Sequence, residues 1–278
     1  MMFVTINRKT QRKNYMSYQK DITTKSVLRY PGGKTRAVKI LQEYIPSTIQ
    51  SVQAPFLGGG SFELYLTSQG IRVQAYDNFS QLTTFWNELL TRPETLADSL
   101  QKHLNTIDKE TFTATQQRLI QQSGSSMEIA RDFYIVNRCS FSGATLSGGY
   151  SSSAATQRFT QSSIDRVRNF HNDLLQVQHD DALEVIPDAQ EDMLFLDPPY
   201  LLEESSLYGV RGDKHKDFDH EAFFQAVQES GKLFLLTYNN HPDIRELWKE
   251  YKQVETSWSY GMNVSKKSSE LIIHNGLM

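Results

Sequence analysis

Asp197-Pro198-Pro199-Tyr200 puts a carboxylate, two rigid residues with no amide hydrogen and a flat aromatic side by side. A carboxylate and bare carbonyls accept hydrogen bonds from an amino group, and a ring stacks on a planar base. The turn follows Met193-Leu194-Phe195-Leu196, an uncharged apolar run that reads as a buried parallel strand. Two prolines end the ladder and fix the backbone at the strand's carboxyl end. In open α/β sheets that end is where ligands bind.

A second constellation lies upstream. A short strand over Ile49 to Phe56 runs into Leu57-Gly58-Gly59-Gly60-Ser61, and a helical pattern follows (Phe62, Leu64, Tyr65, Leu66). Ile71 to Tyr76 alternates as a strand and ends at Asp77. Strand, glycine turn, helix, strand and acid make half of a nucleotide-binding unit, with the acid placed to accept from ribose hydroxyls. Glu63 stands where a dinucleotide fingerprint has its third glycine, which disfavours NAD. A nucleoside ligand without phosphates, such as S-adenosylmethionine, fits better. Pro31-Gly32-Gly33-Lys34-Thr35 offers a rival reading as the end of a phosphate-binding loop in an NTPase, but Leu28 occupies the position where that loop needs a glycine.

The elements that must position these residues follow from the apolar pattern. Further strands are expected at Leu174 to Val177, Leu233 to Thr237, Val254 to Tyr260 and Leu271 to His274. The last two are close enough for an antiparallel hairpin. Asp77 and Asp197 are 120 residues apart, far more than one crossover needs. Helical patterns dominate there (Leu96 to Leu104, Phe112 to Ile120, Ile129 to Val136), followed by a Ser/Gly-rich loop over Ser140 to Ser153. The expected fold is therefore α/β: a Rossmann-like, mostly parallel sheet with a C-terminal antiparallel hairpin. Its catalytic domain would comprise 26–85 and 171–278, interrupted by a helical insertion over 86–170.

Composition bounds the rest. The 278 residues carry a net charge of −3, and their 38% hydrophobic content supports a large core. Ten of the 29 basic residues fall within 1–40 against one acid, Asp21, so 1–25 reads as a basic arm suited to phosphates. A solvated tail is the plainer reading of the same residues. The lone Cys139 excludes an internal disulfide framework and fits a reducing compartment. No apolar run approaches membrane-spanning length and no signal-peptide region stands out, so a cytoplasmic or nucleoid-associated protein is expected. The charged run Arg211 to His220 has no zinc-ligand spacing, and no metal is expected.

Taken in order, Tyr30-Pro31-Gly32-Gly33-Lys34, Pro55-Phe56-Leu57-Gly58-Gly59-Gly60-Ser61, Asp77 and Asp197-Pro198-Pro199-Tyr200 resemble the motifs of Dam-type (D12 class) DNA adenine-N6 methyltransferases. The likeness extends to Leu236-Thr237-Tyr238-Asn239-Asn240, Pro242 to Leu247, Tyr260-Gly261 and Lys267 to Leu271. It implies that Tyr30, Gly33, Lys34, Phe56, Gly58, Gly60, Asp77, Asp181 and Asp197 surround S-adenosylmethionine. It also implies that Asp197, Pro198, Pro199 and Tyr200 act on a flipped adenine. Asn137, Arg138 and Ser142 resemble the start of a DNA-recognition segment, and Arg158 adds a cation there. Residues 144–159 depart from the pattern of GATC readers. Double-stranded DNA is the implied partner, with a restriction endonuclease as a possible companion, and a monomer is expected. Cys139 follows Arg138 rather than proline, which excludes a cytosine carbon-5 methyltransferase. A DNA-binding module that keeps the fold without the activity stands as the non-enzymatic alternative.

Overall fold

The computed structural model describes residues 22–201, 218–258 and 269–276. Seven strands form one sheet: β1 (Ser51–Ala54), β2 (Arg72–Asp77), β3 (Leu175–His179), β4 (Met193–Leu196), β5 (Leu233–Asn239), β6 (Lys252–Thr256) and β7 (Glu270–His274). Their order is β3-β2-β1-β4-β5-β7-β6. The first five pair in parallel, and β7 runs antiparallel to both β5 and β6. The expected C-terminal antiparallel pair is present, but β7 is inserted between β5 and β6. β6 also begins and ends earlier than the expected 254–260.

Every residue of β4 is buried, as a central parallel strand covered on both faces requires. Met193 and Phe195 join one buried cluster, and Leu194 and Leu196 join the other. The Asp192 carboxylate accepts from the Gln50 and Ser51 amides at 2.9 Å each, fixing the entry of β4 against that of β1. Chain order reverses between β1 and β4. The turns leaving these two strands therefore open into the same crevice.

Before the sheet, Lys34–Arg36 forms a 3-10 turn and α1 (Val38–Leu41) a single helical turn. α2 (Ser61–Ser68) follows the glycine turn. Between β2 and β3 lie α3 (Ser80–Thr91), α4 (Pro93–Gln101), α5 (Lys109–Ile120), α6 (Ser126–Cys139), α7 (Ser152–Gln157) and α8 (Gln161–Arg168). A reciprocal Ser125–Glu128 capping box starts α6, satisfying two otherwise unpaired amides. The boundary expected at 86 falls inside α3, which packs on β2 and β3 as well as on α6. One buried cluster runs from Val52 and Val73 in the sheet through Phe85 and Trp86 to Phe133 and Ile164. The opposite face is covered by α9 (Ala182–Val185), α10 (His220–Ser230) and α11 (Pro242–Leu247), with Phe223, Phe234 and Trp248 buried among them.

Candidate active site

The glycine turn leaves β1 with Gly58 at φ 48° and Gly60 at φ 66°, left-handed conformations that glycine adopts without strain. Packing adds a second reason for the glycines. A methyl group on Gly58 or Gly59 would lie 2.9 or 2.7 Å from Tyr30, and one on Gly60 would lie 2.8 Å from Trp86. The Trp86 indole N–H donates to the Gly58 carbonyl at 3.0 Å, a support for the turn that sequence reading missed. Asp77, at the end of β2, accepts from the Gly58 amide (2.9 Å) and the Phe79 amide (3.0 Å). Asp181, exposed, caps α9 by accepting from the Leu183 amide at 2.9 Å. Its neighbour Asp180 donates its amide to the Asp77 carbonyl at 3.3 Å, so this pair of acids stands beside Asp77.

The Asp197-Pro198-Pro199-Tyr200 turn is braced from two sides. Parallel register sets Leu196 against Leu236, which brings the next residues, Asp197 and Thr237, together. The Thr237 hydroxyl donates to Asp197 Oδ1 at 2.7 Å, and the Lys34 ammonium donates to Asp197 Oδ2 at 2.6 Å. Lys34 is 4% exposed, also donates to the Gly32 carbonyl at 3.0 Å, and lies 5.2 Å from the Tyr200 ring centre. The Tyr200 hydroxyl donates to the buried Glu270 at 2.9 Å. Its ring rests 5.9 Å from that of Tyr238, whose hydroxyl meets His220 Nδ1. Burial pushes the Tyr238 hydroxyl far up, with Asp197 adding to the effect, and pushes His220 down. Phe56 packs edge-on against Phe218 and Phe223. Asn239 donates to the Leu201 carbonyl at 3.0 Å, and its own Oδ1 is buried without a partner.

Gly33 and Lys34 do not form a phosphate-binding loop. No described strand precedes them, a 3-10 turn and a single four-residue helical turn follow, and the ammonium is bonded to Asp197. That removes the NTPase reading. Two residues expected to face DNA are instead internal ties. Asn137 is fully buried; it accepts from the Arg29 amide (3.0 Å) and donates to the carbonyls of Arg29 (2.7 Å) and Gly143 (3.2 Å). Arg138, 8% exposed, donates to the carbonyls of Arg158 (2.8 Å) and Val27 (3.4 Å) and covers the Tyr134 ring. Ser142 and Arg158 are exposed. Between Asn137 and Ser142 stands Phe141, 64% exposed, which opens the turn Phe141–Gly143 of the same resembling segment. Arg211 to Asp217, Tyr260-Gly261, Lys267-Ser268 and most of the N-terminal arm lie outside the described residues.

The fold and turn together define an α/β transferase acting on the amino group of a planar base. Residues 30–262 match the family model of the D12 class N6 adenine-specific DNA methyltransferases, and the chain belongs to that family. It is similar to the type II methyltransferase M1.LlaDCHI of Lactococcus lactis subsp. cremoris, with 22% identity covering 91% of this chain and 96% of the relative. The type II methyltransferase M.CviBI of Paramecium bursaria Chlorella virus NC1A is 23% identical over 63% of this chain and 69% of its own length. Among solved structures, a SAM-dependent methyltransferase from Agrobacterium tumefaciens aligns with a TM-score of 0.39 at 12% identity, covering 88% of this chain and 62% of the other. So low a score adds nothing to the assignment, which rests on the family match.

The enzyme is thus a DNA adenine methyltransferase that uses S-adenosylmethionine. Its residues suit that donor chemically. Asp77 ends β2 with a carboxylate beside the glycine turn, and Asp197 follows β4 with a second carboxylate whose side chain is 20% exposed. No His/Cys/Asp/Glu cluster able to hold a metal occurs among the described residues. No helix among them is long and apolar enough to cross a membrane.

Proposed function

We propose that the enzyme reads a specific sequence in duplex DNA, takes one adenine out of the stack, and methylates its N6 amino group at the Asp197-Pro198-Pro199-Tyr200 turn. The observation carrying this reading is the bracing of Asp197, whose side chain is 20% exposed while Lys34 and Thr237 hold one oxygen each. The N6 lone pair is conjugated into the ring and is a poor nucleophile. Asp197 accepts one N6–H and the Pro198 carbonyl accepts the other, which aims the lone pair out of the ring plane. The bound donor supplies an electrophilic methyl on a sulfonium. A new N–C bond forms as the S–C bond breaks, and the methylated amino group then sheds a proton through the hydrogen bond to Asp197. Tyr200, held by Glu270 and Tyr238, provides the stacking surface. Unstacking costs a few kcal/mol, and stacking on the ring returns about 1–3 kcal/mol of it.

In this reading Tyr30, Gly33, Lys34, Phe56, Gly58, Gly60, Asp77 and Asp181 line the donor's side. The helices between β2 and β3 carry the DNA reader, with Phe141, Ser142 and Arg158 on its surface. The protein works as a monomer; two relatives named as type II methyltransferases support a restriction endonuclease of the same target as its companion. Expression in methylation-deficient cells, base-resolved sequencing and mass spectrometry of nucleosides test it. N6-methyladenosine at one recurring sequence is expected, and it should vanish in Asp197→Ala. A predominance of N4-methylcytidine would overturn the choice of base.

A further inference from the structure

The segment that follows α6 closes on itself. Ser140 pairs with Tyr150 in an antiparallel bridge, the Phe141 amide donates to the Gly149 carbonyl at 3.1 Å, and the Ser151 amide donates to the Cys139 carbonyl at 2.9 Å. Ends drawn together in this way make an Ω-type loop, packed by its own side chains. Gly143, Ala144, Thr145, Leu146 and Gly148 are buried, while Phe141, Ser142, Ser147 and Gly149 are exposed. The exposed set offers an aromatic ring, two hydroxyls and bare backbone; nothing lies within 4 Å of where a Gly149 side chain would begin. Such groups meet base edges by apolar contact and by hydrogen bonds.

A side chain from another helix moulds this loop. Gln116 on α5, half-buried, donates from its amide nitrogen to the carbonyls of Thr145 (3.2 Å), Leu146 (3.2 Å) and Gly148 (2.7 Å). Its two hydrogens serve three acceptors, so one is shared. Buried carbonyls outside a helix or sheet must find a donor, and here one side chain supplies it for three of them. Phe112, one turn earlier on the same face of α5, packs 5.6 Å from the Tyr150 ring, whose hydroxyl donates to the Ile107 carbonyl at 3.0 Å. Gly148 has no room to shift, since a methyl there would lie 2.0 Å from the Ala144 carbonyl oxygen. Near the start of the loop, Asn137 holds the Gly143 carbonyl at 3.2 Å.

We propose that Gln116 is a positioning residue for sequence recognition, holding the loop in the one shape that presents Phe141, Ser142, Ser147 and Gly149 to the base pairs of the target duplex. The inference rests on the reading above that the helices between β2 and β3 carry the DNA reader. Hydrogen bonds to base edges weaken steeply when distance or angle is lost. Without the Gln116 amide, the three carbonyls must turn to other donors, because leaving them buried and unpaired is costly. The loop then offers the same groups in several arrangements. DNA is still held, but sequences that the moulded loop rejects are accepted, since specificity is a difference of affinities.

The test reads which sequences are marked. Gln116→Glu keeps the shape of the side chain and sets an acceptor against three carbonyls. Gln116→Ala removes the donor without adding charge, and it is read alone if the glutamate variant does not fold. Each full-length enzyme is expressed in methylation-deficient cells, and the DNA is sequenced with base resolution. The wild type should mark one recurring sequence. In the variants, the share of N6-methyladenine at sequences one base pair away should rise about tenfold, within the range that a single mismatched base pair supplies. Affinity for S-adenosylmethionine, measured by calorimetry, should match wild type. Variants that bind the donor and keep the wild-type distribution of sites overturn the role of Gln116 and leave the proposed function standing. A uniform drop in methylation with that distribution unchanged overturns it too, because a merely structural tie would give that result. Absence of N6-methyladenine in cells expressing the wild type overturns the proposed function and this inference together.

Discussion

Replacing Thr237 by valine removes one hydroxyl and keeps the shape of a fully buried, β-branched side chain in β5. The fold should survive, because valine suits a buried strand. What is lost is the 2.7 Å hydrogen bond that holds Asp197 Oδ1. Hydrogen bonds to charged groups contribute about 1.5–3 kcal/mol. The Asp197 side chain is 20% exposed and retains Lys34, so the lower half of that range applies. At about 1.4 kcal/mol per decade, about 1.5–2 kcal/mol corresponds to a 10- to 30-fold loss in the rate of methyl transfer. Single-turnover transfer of labelled methyl to DNA measures this step. Calorimetry of donor binding shows whether the loss lies in chemistry or in affinity, and Thr237→Ser should restore most of the rate. A valine variant within twofold of wild type would refute the idea that Thr237 orients the carboxylate.

Gly60→Ala forces a methyl against Trp86 in a left-handed conformation and should lower stability by about 2–4 kcal/mol in urea titration. Asn137→Leu strips the Arg29 amide and the Arg29 and Gly143 carbonyls of their buried partner, at a cost of about 3–5 kcal/mol. Unchanged melting with selective loss of DNA affinity would instead restore Asn137 to the DNA surface. Phe141→Ala should leave stability within about 0.5 kcal/mol and weaken DNA binding, and Arg158→Ala should lower the salt slope by about one. The Glu63 contribution to stability should fall from pH 4.5 towards 8, because the unfolded chain loses this proton near 4.5 while the folded chain keeps it to about 8. Glu63→Gln should flatten that fall in thermal melts across the range.

Local chemistry carried much of the fold into the sequence. An uncharged run ending in Asp-Pro-Pro marks a strand end wherever it lands, and a glycine turn followed 17 residues later by Asp77 marks the parallel neighbour. Long-range pairing was harder to read. Thr237 is an ordinary strand residue until the register of β4 with β5 sets it beside Asp197. Glu270 likewise becomes a support for Tyr200 only because β7 inserts beside β5, a placement that a two-strand hairpin pattern does not specify. Asn137 and Arg138 entered through their likeness to a DNA-recognition segment, and the partner that buries Asn137 is 108 residues away at Arg29, which no local pattern specifies.

The tie from Asn137 to Arg29 and Gly143 has a consequence for anyone hoping to redirect this enzyme to a new target sequence. Arg29 immediately precedes Tyr30, against which the glycine turn packs, and Gly143 closes the turn that presents Phe141. A methyl on Gly143 would fall 2.2 Å from the Arg29 carbonyl, so the two backbones leave no room for rewording at that junction. Residues 86–170 are thus not a cassette that can be exchanged with a relative's. A transplanted reader would have to bring its own version of residues 27–30 and of the seam through Phe85, Trp86 and Phe133. Point changes at exposed positions such as Ser142 and Arg158 leave that seam intact, and under the proposed reading they are the changes to make in a test for altered specificity.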